Sequence, residues 1–571
     1  MANELQPILS PAAGYLAMPE QQPSKGPEID SELELEASTI KKDWIVLALF
    51  IGSFLSALDT TIVTTLLPTI ASDLDASSQM SWIATSYLLS CSAFQPLYGK
   101  LSDIFGRKPL LIWSNLCFGV GCIICGAPFT KSLWVLCLGR FISGVGGGGL
   151  TTLSTITTSD IIPLRQRGVY QGMGNIVFSL GCASGSLIGA LLQQHLGWRW
   201  AFLVQVPLSL FSCVMIVVLL HLPKDSPGRG LISLSGNNGS NKPLKLIIDD
   251  VRELVDVMGS FSLIVTMLLL MIILSVLDNP SQLSSGTWVA FVTVLCLAGY
   301  VFVSTELSID HPMVPLHLLG SNRTVLASSL TNWFFTMSIM TLSYYIPVFW
   351  QTVYHFLPWQ IGVRTVSNFF GIATGSMLTG IYMKRSGKYK TLSSSVNFIT
   401  VLGVLVIFGS TFNAHPNGVF EYLMLFVPGC GYASMLTVTL LSLIASVDSS
   451  QQAQVTSVQY AFRAIGSTLG VSFAGLIYQS RLHASLFHDI LHNETLQESY
   501  TAKQLKAWCY KILENNSFDV SFDPLLQSLV TKCFQKSSRL VMGFAALTIT
   551  LGFLSSLFIR EHTLHTEIGR R

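Results

Sequence analysis

The feature that most constrains this chain is a recurring length. Apolar stretches of about 20 residues, the reach of a helix across the hydrocarbon core of a bilayer, return near 44–67, 80–99, 110–127, 133–156, 168–191 and 199–220. Two more lie near 260–278 and 286–305, and six near 324–349, 360–383, 391–412, 420–446, 454–479 and 539–560. In hydrocarbon every backbone N–H and C=O must find its partner inside the segment, so stretches of this kind have to be helices. The expected fold is therefore an all-α polytopic membrane protein with about fourteen transmembrane helices. Composition agrees, because 50% of the 571 residues are hydrophobic and only 11% are charged, against about 25% in soluble domains. A net charge of +2 gives no reason to expect a nucleic-acid partner.

The spacing of the stretches divides the chain. Residues 1–42 are polar, with Glu28, Asp30, Glu32, Glu34 and Glu36 in close succession, and are expected to form a disordered cytosolic tail without a cleavable signal peptide. Within it, Glu4 followed by Ile8-Leu9 matches the acidic dileucine pattern that sorting adaptors read. A six-helix bundle over 43–220, a cytosolic loop over 221–258, two inserted helices over 259–305 and a second six-helix bundle over 306–571 complete the reading.

Orientation follows from the cations. Lys100, Arg107 and Lys108, then Arg165 and Arg167, then Lys224, Arg229, Lys242, Lys245 and Arg252, then Lys384, Arg385, Lys388 and Lys390 all fall in connections on one side, which the positive-inside rule makes cytosolic together with both termini. The loop 480–537 then lies on the lumenal side. It holds two glycosylation sequons, at Asn493 and Asn515, and the two cysteines clearly outside the apolar stretches, Cys509 and Cys533, a candidate disulfide. Sequons at Asn238 and Asn322 fall on the cytosolic side and are expected to stay unmodified. The other nine cysteines, including Cys122 and Cys125, sit in apolar stretches and read as small packing residues. No metal-ligand cluster is recognisable.

Chemistry inside the spans is sparse and therefore informative. Asp59 is the clearest carboxylate deep in a span. Placing a charge there costs roughly 2.5 to 3.5 kcal/mol on insertion scales, so it should face a cavity and have a partner. Such a carboxyl can hold either a proton or a cationic amine, which couples their movements by competition; the other reading is a structural carboxylate near Thr60 and Thr61 at a helix break. Arg140 either contacts Asp59 or modulates its protonation, the other reading being a purely structural ion pair. Arg463, mid-span in the thirteenth stretch, serves helix pairing or carboxylate binding. Gln171 and Asn175, four apart on one helix face, are candidates for the cavity lining. Trp333, Tyr344 and Tyr345 either offer cation-π surfaces to a cationic substrate or pack between helices. No G-x-x-x-x-G-K-[ST] loop for ATP is present, so neither an enzyme nor an ATP-driven pump is expected, and coupling falls to an ion gradient.

Residues 97–111, LYGKLSDIFGRKPLL, set glycines and charges between two spans. Gly99 allows close helix approach, Asp103 can pair with cations or a helix N-terminus, and Gly106-Arg107-Lys108 reads as a positively charged hairpin, which suits a gate. This loop resembles the signature of the major facilitator transporters. Leu58-Asp59-Thr60-Thr61-Ile62-Val63 with Leu67-Pro68 looks like the first-span motif of the fourteen-span drug:proton antiporters, and Leu138-Gly139-Arg140 with Gly144 and Gly146 resembles their fourth-span motif. The fifth-span stretch with Gly181, Gly185 and Gly189 resembles their antiporter motif, although the family's proline is Ser186 here and its last glycine is Ala190. Gly181-x-x-x-Gly185 is echoed by Gly466-x-x-x-Gly470 in the thirteenth stretch, as repeated bundles would require.

The segments SWIATSYLLSCSAFQPLYGKLSDIFGRK and RGVYQGMGNIVFSLG, with QVP at 205–207, look like the fungal vacuolar basic amino acid transporters within that family. The resemblance implies a major facilitator fold of two six-helix bundles plus two inserted helices. It also implies proton antiport of lysine, arginine and histidine across the vacuolar membrane, no cofactor beyond the proton gradient, and proton transfer through Asp59 and Arg140. Alternatives are a plasma-membrane multidrug:proton antiporter and a non-transporting nutrient receptor.

Overall fold

The structure, a computed structural model, describes residues 28–74, 81–128, 130, 132–220, 229–230, 257–276, 285–308, 316–413, 416, 418–448, 451–514 and 523–562. The expected adaptor motif at Glu4, Ile8 and Leu9 and the sequons at Asn238 and Asn515 lie outside them. The described residues are helices and short connections, with no strand among them. In order the helices are α1 (Glu28–Asp73), α2 (Ser81–Phe105), α3 (Arg107–Gly126), α4 (Leu133–Ile161), α5 (Leu164–His195), α6 (Arg199–Leu203), α7 (Gln205–Leu219), α8 (Val257–Val276) and α9 (Ser285–Ser308). They continue as α10 (Leu316–Ser321), α11 (Arg323–Thr352), α12 (Pro358–Ser386), α13 (Lys390–Ser410), α14 (Val419–Leu423), α15 (Phe426–Ala445), α16 (Gln452–Leu491), α17 (Glu494–Ser499), α18 (Ala502–Glu514) and α19 (Pro524–Ser556).

The chain divides into two compact units, residues 1–44 and 45–571. In the first, α1 is helical from Glu28, so the last third of the stretch expected to be a disordered tail is helix. Leu, Ala and Glu are strong helix formers, and carboxylates near a helix N-terminus complement its dipole, a local preference that the count of charges overlooked.

In the second unit, helices stand at every one of the fourteen predicted stretches, two of them broken into α6–α7 and α14–α15. Eleven segments among the described residues are long and apolar enough to cross a membrane. Those that fall short are α2, α8 and α12. The apolar window of α8 is short, Met258–Leu270, whereas α2 and α12 carry Gln95, Lys100 and Asp103, and Arg364, Asn368, Lys384 and Arg385.

Packing sorts the helices into two halves. In the first, α4 packs on α2 and α3, and α3 on α7. In the second, α11 packs on α16 and α19, and α12 and α13 pack on α15. The halves meet along two seams, α5 with α12 and α2 with α16. Counting the six helices of each half separately, α2 corresponds to α12 and α5 to α16, so each seam is the image of the other under exchange of the halves. The glycine pairs obey the same exchange. A Cβ on Gly181 would lie 2.7 Å from the Phe54 carbonyl oxygen and one on Gly185 2.7 Å from that of Leu58, both in α1. In α16, Gly466 sits likewise against the Trp333 carbonyl and Gly470 against that of Met337, both in α11. Side chains larger than hydrogen would hold these helices apart.

The inserted pair α8–α9 packs across the α2–α16 seam. Leu97, Leu263 and Val458, from α2, α8 and α16, share one small core with Phe302 and Phe462 against it. Lys100 is buried near Asp103 and Glu306 of α9.

The long lumenal loop expected over 480–537 is largely helical. α16 runs on to Leu491, α17 and α18 follow, and α19 starts at Pro524 behind an Asp523 cap. Leu482, Leu486 and Ile490, then Leu505, Cys509 and Ile512, then Leu526, Val530 and Cys533 join the core of the second half. Their spacing of three and four is an amphipathic-helix pattern, masked at the sequence level by the charged residues between them.

Candidate functional site

Three groups of polar residues are built into this frame. The first is sealed inside the first half. Asp59 in α1 has no exposed surface and Arg140 in α4 has 1%; an Arg140 guanidinium nitrogen donates to Asp59 Oδ2 at 2.5 Å. The amide nitrogen of Gln205 donates to the other carboxylate oxygen at 3.3 Å, and Arg140 Nε donates to the Ile83 carbonyl at 3.2 Å. The guanidinium also lies over the Tyr87 ring at 4.4 Å, and the Tyr87 hydroxyl meets Ser56 Oγ at 2.9 Å. Leu58, Ile62, Phe118, Cys122, Cys125 and Phe202 surround the pair. Removing one partner of such a buried pair costs about 3 to 5 kcal/mol, because the other is left uncompensated. Sequence reasoning placed Asp59 beside a cavity; the structure encloses it within the bundle, with Arg140 as its partner.

The second group is the loop at the basic end. Gly106 has φ +95°, a turn that only glycine takes without strain, and it brings Arg107 back toward α2. Arg107 is 2% exposed and pairs with Asp103 at 2.8 Å and with Asp160 of α4 at 2.8 Å; it also donates to Ser102. The positively charged hairpin expected from the sequence is therefore a buried Arg107 met by two partly buried carboxylates. Lys108 is separate from it and donates to the Val217 carbonyl at 2.7 Å, tying α3 to α7. Asp160 was missed. Its one signal was an acid near the end of the fourth span, on the same side as the cations. Gly99 touches the other half: its Cβ position would lie 2.6 Å from the Ala453 carbonyl and against Ser457 of α16.

Further contacts close the same end. Arg165 donates to the Lys384 and Arg385 carbonyls at 2.8 and 3.0 Å, and Arg167 to Gln452 Oε1 at 3.1 Å. Gly168 and Gly172 of α5 lie against Gly380 and Ser376 of α12, and Thr155 meets the Tyr460 hydroxyl at 2.6 Å.

The third group lies just beyond this closed end, between the halves. Gln171 from α5 meets Asn332, Leu436, Leu440, Gln459, Tyr460 and Arg463 from α11, α15 and α16 around a small pocket. Asn175 accepts from Gln171 at 3.3 Å and donates to Ser376 at 2.9 Å. Arg463 lies over the Tyr460 ring at 4.2 Å. Of the expected cavity residues, Gln171 and Arg463 line this pocket and Asn175 adjoins it. Asp59 does not line it, and neither do the three aromatics. Trp333 packs on Phe334 and Phe462, Tyr345 packs on Tyr478, and Tyr344 is exposed. Asn332, Gln459 and Tyr460 were missed, since single amides and a tyrosine in apolar stretches gave no pattern to find.

The sequence pattern described as Major Facilitator Superfamily matches residues 49–471. The chain belongs to the major facilitator superfamily. It is a multi-pass membrane protein and a secondary transporter. The multidrug resistance protein fnx1 of Schizosaccharomyces pombe is 31% identical over 95% of this chain and 97% of its own length. The vacuolar basic amino acid transporter 1 of Saccharomyces cerevisiae is 28% identical over 96% and 97%. Among solved structures, the proton:xylose symporter XylE superposes with a TM-score of 0.58 at 13% identity, covering 92% of this chain and 98% of that one, a likeness of fold.

Outside the two bundles, Asn493 caps α17 and accepts from Leu496 N at 3.3 Å and from the Thr495 hydroxyl at 2.5 Å. Cys509 and Cys533 are both free and buried in one core. Burial pushes the Cys509 thiol up to about 11.

Proposed function

We propose that this transporter moves basic amino acids, lysine, arginine and histidine, into the vacuole in exchange for protons. The relative in Saccharomyces cerevisiae supplies the substrate class and the compartment. The observation that carries proton coupling is the enclosed Asp59–Arg140 pair. Protonating Asp59 removes the charge that holds Arg140, and a lone buried guanidinium is unstable by several kcal/mol. Proton arrival therefore demands a rearrangement around α1 and α4. Helix α5 is placed to transmit it: Gly181 and Gly185 sit on α1 around Asp59, while Gly168, Gly172 and Asn175 of the same helix form the seam with α12. Substrate and proton then compete through the shape of the bundle and not through one shared carboxylate.

The test is uptake of labelled lysine, arginine and histidine into sealed vacuolar vesicles carrying the protein, with and without a proton uncoupler. Accumulation abolished by the uncoupler is expected; accumulation indifferent to it removes proton coupling. The multidrug resistance relative in Schizosaccharomyces pombe favours a second reading, a plasma-membrane drug:proton antiporter, for which hydrophobic substrates would be moved and lysine ignored.

A further inference from the structure

The small pocket between the halves holds three unmet bonding capacities that fit one ligand group. Asn332 is 1% exposed and Gln459 4%. Among the described residues, Asn332 Nδ2 has no hydrogen-bond partner, and neither has Gln459 Oε1. Neighbouring hydroxyls orient both amides. Thr336 donates its hydroxyl to Asn332 Oδ1 at 3.2 Å, which leaves the Nδ2 donor free. Thr439 donates its hydroxyl to the Met435 carbonyl at 2.8 Å, so it accepts from Gln459 Nε2 at 2.8 Å and leaves Oε1 as a free acceptor. Arg463 stands one helical turn after Gln459, on the same face of α16. It forms no ion pair among the described residues and lies over the Tyr460 ring.

A fixed cation with a free donor beside it calls for a carboxylate, and a free acceptor next to both calls for an ammonium. Leaving such buried groups unmet costs about 1 to 3 kcal/mol each, so their retention points to a ligand that meets them. We propose that Arg463, Asn332 and Gln459 form the binding site for the head group of an α-amino acid. The carboxylate is held by the Arg463 guanidinium and Asn332 Nδ2, and the α-ammonium donates to Gln459 Oε1. This rests on the proposed amino acid transport and adds how the substrate is recognised. A fixed cation alone would repel lysine and arginine, but the substrate brings its own carboxylate to neutralise it. The pocket is nearly collapsed in this conformation, about 10 Å3, so binding requires the seams to part.

The experiment measures ligand-induced thermal stabilisation of the purified full-length protein with lysine, lysine methyl ester and cadaverine, which is lysine without its carboxylate. Lysine is expected to stabilise and the two analogues to need roughly 10- to 100-fold more ligand, the range for a lost charged hydrogen bond. Arg463→Gln should lose that discrimination while lysine affinity falls by the same factor. The wild-type series stands even if Arg463→Gln fails to fold. Equal stabilisation by lysine and cadaverine in the wild type would overturn the proposal, as would full discrimination retained by folded Arg463→Gln. Carboxylate-selective binding without any proton-driven uptake would support the site while refuting the transport reading. Binding of no amino acid would overturn both.

Discussion

Gly99→Ala tests whether the contact between α2 and α16 belongs to the transport cycle. The added methyl would lie 2.6 Å from the Ala453 carbonyl oxygen and 2.9 Å from Ser457 Cβ, well inside contact distance. The carbonyl belongs to a helix backbone and cannot swing aside. Overpacking of this kind costs about 1 to 3 kcal/mol, and the cost falls only on the conformation in which the basic end is closed. That energy moves an equilibrium between two conformations by roughly 5- to 150-fold. The variant should fold, because each half keeps its own core, but should populate the form open at the basic end.

Spin labels on Gln166→Cys and Lys388→Cys, exposed positions beside the α5–α12 seam, would report the separation by pulsed electron resonance. A population shift to longer distances, with slowed transport, is expected. Gly431→Ala is the control, since its methyl meets Thr400 and lies 2.6 Å from the Thr400 Cβ inside one half. That variant should lower the melting temperature and leave the label distance of the folded fraction unchanged. If Gly99→Ala leaves both distances and transport at wild-type values, the seam is not a moving contact and the reasoning fails.

Asp59→Asn should end gradient-driven accumulation and also destabilise the fold by about 3 to 5 kcal/mol through the stranded Arg140; Asp59→Asn with Arg140→Gln should recover melting temperature without recovering accumulation. Arg107→Ala leaves Asp103 and Asp160 facing each other without their shared cation, so it should cut transport far more than Lys108→Ala in matched expression. Cys509, with its thiol at about 11, is roughly one part in a thousand thiolate at pH 8, and thiolate is the reactive form; maleimide labelling of a variant keeping only that cysteine should wait for denaturant. Asn493→Gln should remove a glycosidase-sensitive mass shift, and no shift in the wild type would argue against the lumenal placement of α17.

The fourteen apolar stretches at which helices stand were legible because hydrocarbon thickness imposes one length on each of them. It could not give their ends where a second constraint took over. α16 passes beyond its apolar stretch since Leu482, Leu486 and Ile490 find a core with α18 and α19, and a window of mean apolarity does not see a stripe on one face. Asp59 and Arg140 were legible as candidate partners because each is a charge in an apolar span, where an unmet charge is costly. Asn332 and Gln459 were invisible for the opposite reason: an amide in a span is cheap enough to be ordinary. Only the geometry of Thr336 and Thr439 shows which of their atoms are left over. The gate loop fell between these cases. Its cations were read as surface charge that orients the chain, and Arg107 does lie on that side, yet at 2% exposure it is held by Asp103 from the end of α2 and by Asp160, 53 residues away. A carboxylate at that distance in the chain becomes a partner only when α2, α3 and α4 are packed, so the net charge of a membrane loop is a property of the folded bundle.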